Sequence, residues 1–424
     1  METYRNETEY TGVLSERGVL PGGFRAASST FTFFPEEVAK EARMNLNLIL
    51  LDHPTDVFAG VFTRNAFPGA PVIIGKKRLE ALKTRGVIIN NKIANVLAPD
   101  GLETAEAILD TLAAHAGGSG SDYFSSSTGV IGWKLPASQI KAQIPGLAAS
   151  LQGETILPVA KGIMTTDSYP KIRSVSLGGG RIVAIAKGAG MIEPNMATML
   201  VFVLTDIDME RKDLQAALGR VSARTFNRIS VDGDQSTSDM VLAFSSKEVH
   251  GVEPDEFEQA LFGVFRDLAV DVVRNGEGTG HVIETVVEGA SSEEDAVSIG
   301  KAVVNSPLVK TAVFGNDPNI GRIVAAVGDY VGNTGLLIDV GELSVSIGGE
   351  KVFENRKFTL DPKKEERLFS YLKDCALQPE LKGYPEHDKN VVIRIIVGKG
   401  SGSATVFGSD LSYEYIRENA EYRT

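Results

Sequence analysis

The chain has 424 residues, 43% of them hydrophobic, and its 43 basic and 55 acidic residues leave a net charge of −12. That length suits two core-forming units or one large two-part fold, and no apolar run approaches the roughly eighteen residues of a membrane span. The acidic balance without strongly basic runs argues against a nucleic-acid partner, and a single cysteine, Cys375, excludes an intrachain disulfide or a multi-thiolate metal site.

The first ten residues carry acids and no apolar core, so neither a secretory signal nor a transit peptide is expected and the cytoplasm is the expected compartment. Residues 30–34, 46–51 and 57–62 read as strands, 76–84 as a short helix and 87–89 as a buried strand. From 102 to 116, Leu102, Ala105, Ile108, Leu109 and Leu112 share one helical face, opened by Asp100-Gly101 as a cap. A Gly/Ser loop then leads to Ser125-Ser-Ser-Thr-Gly-Val-Ile-Gly132. Small residues at Thr128-Gly129 would let donors approach a developing oxyanion, although such turns also serve as plain connectors.

A helix is expected over 136–151, and Gly162-Ile-Met-Thr-Thr-Asp-Ser-Tyr-Pro170 reads as a turn in which Asp167 and Ser168 cap backbone amides. Residues 175–185 read as a hairpin with a Gly-rich turn. It feeds Lys187-Gly-Ala-Gly-Met-Ile-Glu-Pro-Asn-Met-Ala-Thr198-Met-Leu, a turn before the apolar run 199–204. Thr198 is a β-former before a buried strand. It also has the layout of an amino-terminal nucleophile: cutting the Ala197–Thr198 bond gives Thr198 a free α-amine, which titrates at about 7.7–8.0 and can act as the base for its own hydroxyl.

Farther on, 209–229 reads as a helix, with Leu214, Leu218, Val221 and Phe226 as its apolar set. The acidic segment 231–239 fails as a calcium loop, because Ala243 stands where the twelfth-position glutamate belongs. The strongest amphipathic helix is 253–273, and after it Glu277 lies between glycines, either as a solvated turn residue or as a carboxylate able to face an ammonium. A strand follows at 281–287 and a helix from Glu293. The glycine-rich 398–403 lacks Walker spacing and, between the runs 391–397 and 404–407, reads as a hairpin turn. Cys375 reads as packing, and the five histidines lack the i,i+4 pairing of a zinc site, so no metal is expected. The aromatic and aliphatic content of the tail 409–424 argues for docking rather than fraying.

The Lys187–Leu200 stretch resembles the ornithine acetyltransferase family, the bifunctional acetyltransferases of arginine biosynthesis, whose Lys-Gly-x-Gly-Met-x-x-Pro-x-x-Ala-Thr-Met-Leu spans a self-cleavage point. The likeness continues in Ser127-Thr-Gly-Val-Ile-Gly132, in Ile163-Met-Thr-Thr-Asp167 and in the block 305–322. The resemblance implies an α/β fold, an α/β/β/α sandwich processed into an alpha chain 1–197 and a beta chain 198–424. It makes Thr198 the nucleophile, Thr128 and Gly129 the oxyanion pair, and Thr165, Lys187, Thr198, Glu277, Asn419 and Thr424 the substrate-binding residues. The implied reaction moves an acetyl group from N2-acetylornithine to glutamate through an acyl-threonine, with no cofactor. Some family members also accept acetyl-coenzyme A. The implied assembly is a heterotetramer of two alpha and two beta chains. The alternatives are a related acyltransferase acting on another amine, and an amidase or aminopeptidase in which water resolves the acyl-enzyme.

The chain departs from the family pattern at Lys92 and Ile93, where Gly and Asn are usual, at His281 in place of Lys, at Ile320 in place of Trp and at Ser409 in place of Cys. None touches the expected nucleophile or oxyanion pair, so any consequence would fall on substrate choice.

Overall fold

The computed structural model describes residues 2–193 and 199–421. Ala197, Thr198 and Thr424, and with them the expected cleavage bond, lie outside the described residues.

In chain order the elements are α1 Glu7–Arg17, β1 Phe24–Phe33, β2 Ala42–Thr55, β3 Phe58–Phe62, α2 Ala70–Arg78, β4 Thr84–Asn90, α3 Gly101–Ala116, β5 Tyr123–Ser127, α4 Ala137–Ala149, α5 Leu157–Gly162, β6 Lys171–Leu177, β7 Gly180–Lys187 and β8 Leu200–Ile207. After them come α6 Arg211–Arg224, β9 Ile229–Ser230, β10 Met240–Val249, α7 Pro254–Arg274, β11 Val282–Ala290, α8 Glu293–Asn305, α9 Pro307–Phe314, α10 Ile320–Thr334, β12 Ser344–Ile347, β13 Glu350–Glu354, β14 Lys357–Phe358, α11 Pro362–Asp374, β15 Val391–Ile396, β16 Gly402–Ser409 and α12 Tyr413–Ala420.

Two sheets form the sandwich. One has the order β1-β2-β4-β5 and the other β3-β10-β8-β7-β6. Alternation along the strands divides their side chains between layers. Ile49, Val87 and Phe124 of the first sheet meet Ile185, Phe202 and Leu242 of the second in one core. The opposite face of the first sheet, with Met44, Leu48 and Ile88, packs on Leu109 and Leu112 of α3 and Ile144 of α4. The opposite face of the second, with Ala184, Val201 and Val203, packs on Leu218 of α6 and Leu261, Phe265 and Leu268 of α7. These layers are the α/β/β/α sandwich. With both faces covered, β8 reads as a continuous apolar run, each buried Val, Leu or Phe contributing about 1.5–3 kcal/mol.

Beyond the sandwich a seven-stranded sheet, β14-β13-β12-β15-β11-β16-β9, carries its own core with α8, α9, α10 and α11. Cys375 is buried in that core, as expected of a packing residue.

The β6–β7 hairpin forms as its glycines require: Leu177 pairs with Gly180 across Gly178 and Gly179, both at positive φ. Two other expectations are corrected. The helix expected at 76–84 is α2, six residues earlier; Pro71 sits in its first turn, Val72 and Ile74 are buried, and Lys76, Lys77 and Arg78 form its last turn, where cations suit the helix dipole. The glycine-rich 398–403 is not a hairpin turn, because β11 lies between β15 and β16 and pairs with both. The loop arches over the end of β11 with its backbone pressed on that of Gly289 and Ala290, and a Cβ on Gly400 would collide with the Ala290 carbonyl.

Candidate active site

The site forms where β5 of the first sheet ends close to the end of β7 and the start of β8, which are neighbours in the second. A cavity of about 340 Å³ opens there, lined by Thr128, Gly129, Thr165, Lys187, Glu277 and Asn419, together with Met199 and Leu200 at the head of β8. Six of the residues singled out in the sequence therefore share one cavity, at the chain position that follows the expected cleavage bond. Thr198 and Thr424 lie outside the described residues.

The turn after β5 is held by the loop after β4. The Thr128 N–H donates to the Asn90 carbonyl at 3.1 Å and the Val130 N–H to the Lys92 carbonyl at 2.9 Å. Ser127 Oγ bonds Asn90 Oδ1 at 2.7 Å. Gly129 has φ 130, and a Cβ there would collide with the Lys92 carbonyl group. Only glycine fits. The Thr128 hydroxyl and the Gly129 N–H have no hydrogen-bond partner among the described residues, which leaves two donors beside the cavity, the number that an oxyanion hole uses.

Asp167 organises the opposite wall. Its carboxylate is fully buried and accepts from Lys171 Nζ at 2.6 Å, the Gly188 N–H at 2.9 Å and the Thr165 N–H at 3.0 Å. Burial opposes its charge, but the ammonium groups of Lys171 and Lys187 and the donated hydrogen bonds hold it down to about 2. The sequence reading of Asp167 as a cap is thus met. It fixes Thr165 and the turn after Lys187 at one stroke. Lys187 lines the cavity and forms no ion pair among the described residues.

Glu277 reaches the cavity from the turn after α7. Its N–H donates to the Ala189 carbonyl at 3.1 Å, and Gly190 has no side chain because the carboxylate occupies that space. Asn419 of α12 donates to Glu277 Oε2 at 2.9 Å, so the tail docks on the site as expected. Gly278, at φ 63, lets the backbone of Tyr415 close on the turn. Burial raises the Glu277 carboxyl above its ordinary value, while hydrogen bonds from Thr166 and Asn419 work the other way.

The sequence reading missed the acidic loop 232–239 as part of the site. Asp232 accepts the N–H groups of Met191 and Ile192 at 2.7 and 2.8 Å, bracing the turn before β8. Ser236, Thr237, Ser238 and Asp239 line the cavity. Their signal in the sequence was the run of acids and hydroxyls itself, which resembles any solvated turn.

The departures from the family pattern, Lys92, Ile93, His281, Ile320 and Ser409, are all absent from the cavity lining, but the expectation that none touches the oxyanion pair is corrected, because the Lys92 carbonyl packs against Gly129. His281 is buried, with Nδ1 2.7 Å from Asp410 Oδ2 and Nε2 3.2 Å from the Leu372 carbonyl. It ties β11 to the start of the tail. Among the described residues no cluster of three or more His, Cys, Asp or Glu is placed to hold a metal, and no helix is long and apolar enough to cross a membrane.

The chain is 39% identical over 401 residues to the arginine biosynthesis bifunctional protein ArgJ of Rhizobium meliloti, covering 90% of this chain and 92% of that protein. It is 41% identical over 395 residues to the glutamate N-acetyltransferase of Methanosarcina mazei, covering 91% of this chain and 95% of that one. A crystal structure of arginine biosynthesis bifunctional protein argJ from Bacillus halodurans matches 52% of this chain and 98% of its own, at 35% identity and a TM-score of 0.46. The ArgJ family profile matches residues 35–424, and the chain belongs to the ArgJ family.

Proposed function

We propose that this protein is a glutamate N-acetyltransferase of arginine biosynthesis that moves an acetyl group from N2-acetylornithine to glutamate. Relatives named as bifunctional ArgJ proteins and as glutamate N-acetyltransferases support the activity. The observation that carries the residue assignment is the convergence of Thr128, Gly129, Thr165, Lys187, Glu277 and Asn419 on one cavity at the head of β8.

In this reading the Thr198 hydroxyl first attacks the Ala197 carbonyl, and the peptide N–C bond gives way to an ester. Water opens the ester, leaving a carboxylate on Ala197 and a free amine and hydroxyl on Thr198. The amine then accepts the hydroxyl proton as the oxygen attacks the acetyl carbonyl of N2-acetylornithine. The acetyl C–N bond breaks, the proton passes to the departing amine, and ornithine leaves. Glutamate's neutral α-amine attacks the acyl-threonine, and the ester oxygen recovers its proton. The Thr128 hydroxyl and Gly129 N–H stabilise the oxyanion of each tetrahedral stage. Lys187 pairs with a substrate carboxylate, Glu277 with an ammonium, and Thr165, Asn419 and Thr424 complete the grip. The products of cleavage, 1–197 and 198–424, stay together, assemble as two of each, and work in the cytoplasm.

The test is intact mass and a denaturing gel on purified wild type beside Thr198→Ala, then incubation with N2-acetylornithine and labelled glutamate. Two chains and labelled N-acetylglutamate from wild type, with one inactive chain from the variant, are expected. Active protein recovered as a single uncut chain would overturn the mechanism.

A further inference from the structure

An intramolecular cut is only as fast as its hydroxyl and carbonyl are held together, so the chain has to be fixed on both sides of the Ala197–Thr198 bond. Beyond the bond the anchor is immediate. Met199 is buried, and its carbonyl accepts the Met240 N–H at 3.0 Å. Ahead of the bond the last described residue is Glu193, four positions before Ala197.

Glu193 is held by more than its turn requires. Its N–H donates to the Asp234 carbonyl at 2.9 Å. Its Oε2 accepts from Asn305 Nδ2 at 2.6 Å and from Ser230 Oγ at 3.1 Å, and its Oε1 lies 3.6 Å from Lys301 Nζ. The partners also hold one another: Ser230 Oγ lies 2.5 Å from Asn305 Oδ1, and Lys301 Nζ donates to the Ile229 carbonyl at 2.6 Å. Charge-assisted bonds of this kind are the strong ones.

The clamp comes from outside the sandwich. Lys301 and Asn305 stand one turn apart on α8, and so share a face of that helix. Ile299, Val303 and Val304 of α8 pack in the core of the seven-stranded sheet, and Ile229 and Ser230 are β9, the edge strand of that sheet. The segment leading to the cleavage bond is therefore tied to the seven-stranded unit through one carboxylate. Acetyl transfer gives that carboxylate no task, since Glu193 is absent from the cavity lining. The family motif leaves position 193 open, so the clamp belongs to this chain rather than to the motif.

We propose that Glu193 is a positioning residue for self-cleavage, holding the chain ahead of Ala197 against Lys301 and Asn305, so that the bond breaks at full speed only once α8 has docked. The inference rests on the self-cleavage reading above.

The experiment follows the full chain after a pulse of cell-free translation, sampling precursor and products on denaturing gels. Glu193→Ala should slow cleavage about tenfold or more, and Asn305→Asp should do the same by setting two carboxylates against each other. Adding Glu193→Gln to Asn305→Asp restores a donor facing an acceptor, and should return the rate to within about threefold of wild type. A mere packing role would not be restored by that second change. Once cut, each variant should show wild-type kcat and KM for acetyl transfer. Cleavage of Glu193→Ala at the wild-type rate, a double variant as slow as Asn305→Asp, or a kcat that falls as far as the cleavage rate would overturn the proposal. The comparison of Asn305→Asp with the double variant stands even where Glu193→Ala does not fold. A wild type that remains one chain would instead remove the self-cleavage reading, and the proposal with it.

Discussion

The Lys92 carbonyl occupies the space that a side chain on Gly129 would need. This contact fixes the backbone of a residue that lines the cavity, and the same Lys92 carbonyl also receives the Val130 N–H. Thr128→Ala removes one of the two donors without disturbing that backbone. Loss of an oxyanion donor costs about 100-fold or more in rate. The variant should therefore lose about 100-fold in kcat for acetyl transfer with a small change in KM, measured by steady-state kinetics. An unchanged kcat would take Thr128 out of the chemistry.

Lys92 itself sits at φ 73, a left-handed conformation that costs a non-glycine residue about 1–2 kcal/mol. Part of that is offset by the greater freedom glycine has in the unfolded chain. Lys92→Gly should stabilise the protein by about 1 kcal/mol in denaturant titration. KM should not move, since Lys92 is absent from the cavity lining.

Asp167 and Lys171 form an ion pair with no side-chain exposure. Asp167→Ala would leave a buried ammonium without its counter-charge, a loss of about 3–5 kcal/mol. Adding Lys171→Met should recover most of it. The sign with pH follows from the carboxyl lying at about 2 when folded, below its ordinary value of 3.8. Its stabilising contribution is fully present above the unfolded value and lost as pH falls through the folded one. Wild type should thus destabilise in that acid window more steeply than the double variant, in acid titrations followed by circular dichroism.

Glu277 has the opposite sign. Its folded carboxyl is raised above 4.5, so the native state binds more protons than the unfolded chain between 4.5 and that raised value. This group therefore costs stability as pH climbs through the window. Glu277→Gln should be no less stable than wild type at pH 7, while its KM for N2-acetylornithine rises about tenfold through the lost ammonium partner. A variant that unfolds more easily yet binds normally would make Glu277 a structural residue.

These residues differ in how far the sequence announced them. Gly178-Gly179 gives the β6–β7 turn directly, since few other pairs accept positive φ twice. The stripe along 254–274 gives α7 because burial on one side leaves its period in the chain. The glycines at 398–402 misled, because a glycine that permits a hairpin also permits one backbone to cross another, and only the position of β11 separates the cases. α1 went unread because its exposed face is polar, although Asn6 caps it and Tyr10 and Leu14 are buried. The motif residues could be expected at one site by family likeness. Asp239 could not, because its distinction is an oxygen without a hydrogen-bond partner among the described residues, a property of its surroundings rather than of its neighbours in sequence.

The position of β8 has one more consequence. It is hydrogen-bonded to β7, which precedes the Ala197–Thr198 bond, and to β10, which follows it. A break at that bond would leave β8 and β10 of one piece held between β7 and β3 of the other within a single sheet. Neither piece made alone could complete this five-stranded sheet, so the sandwich must be assembled from the whole polypeptide, and any later scission would record that folding had already succeeded.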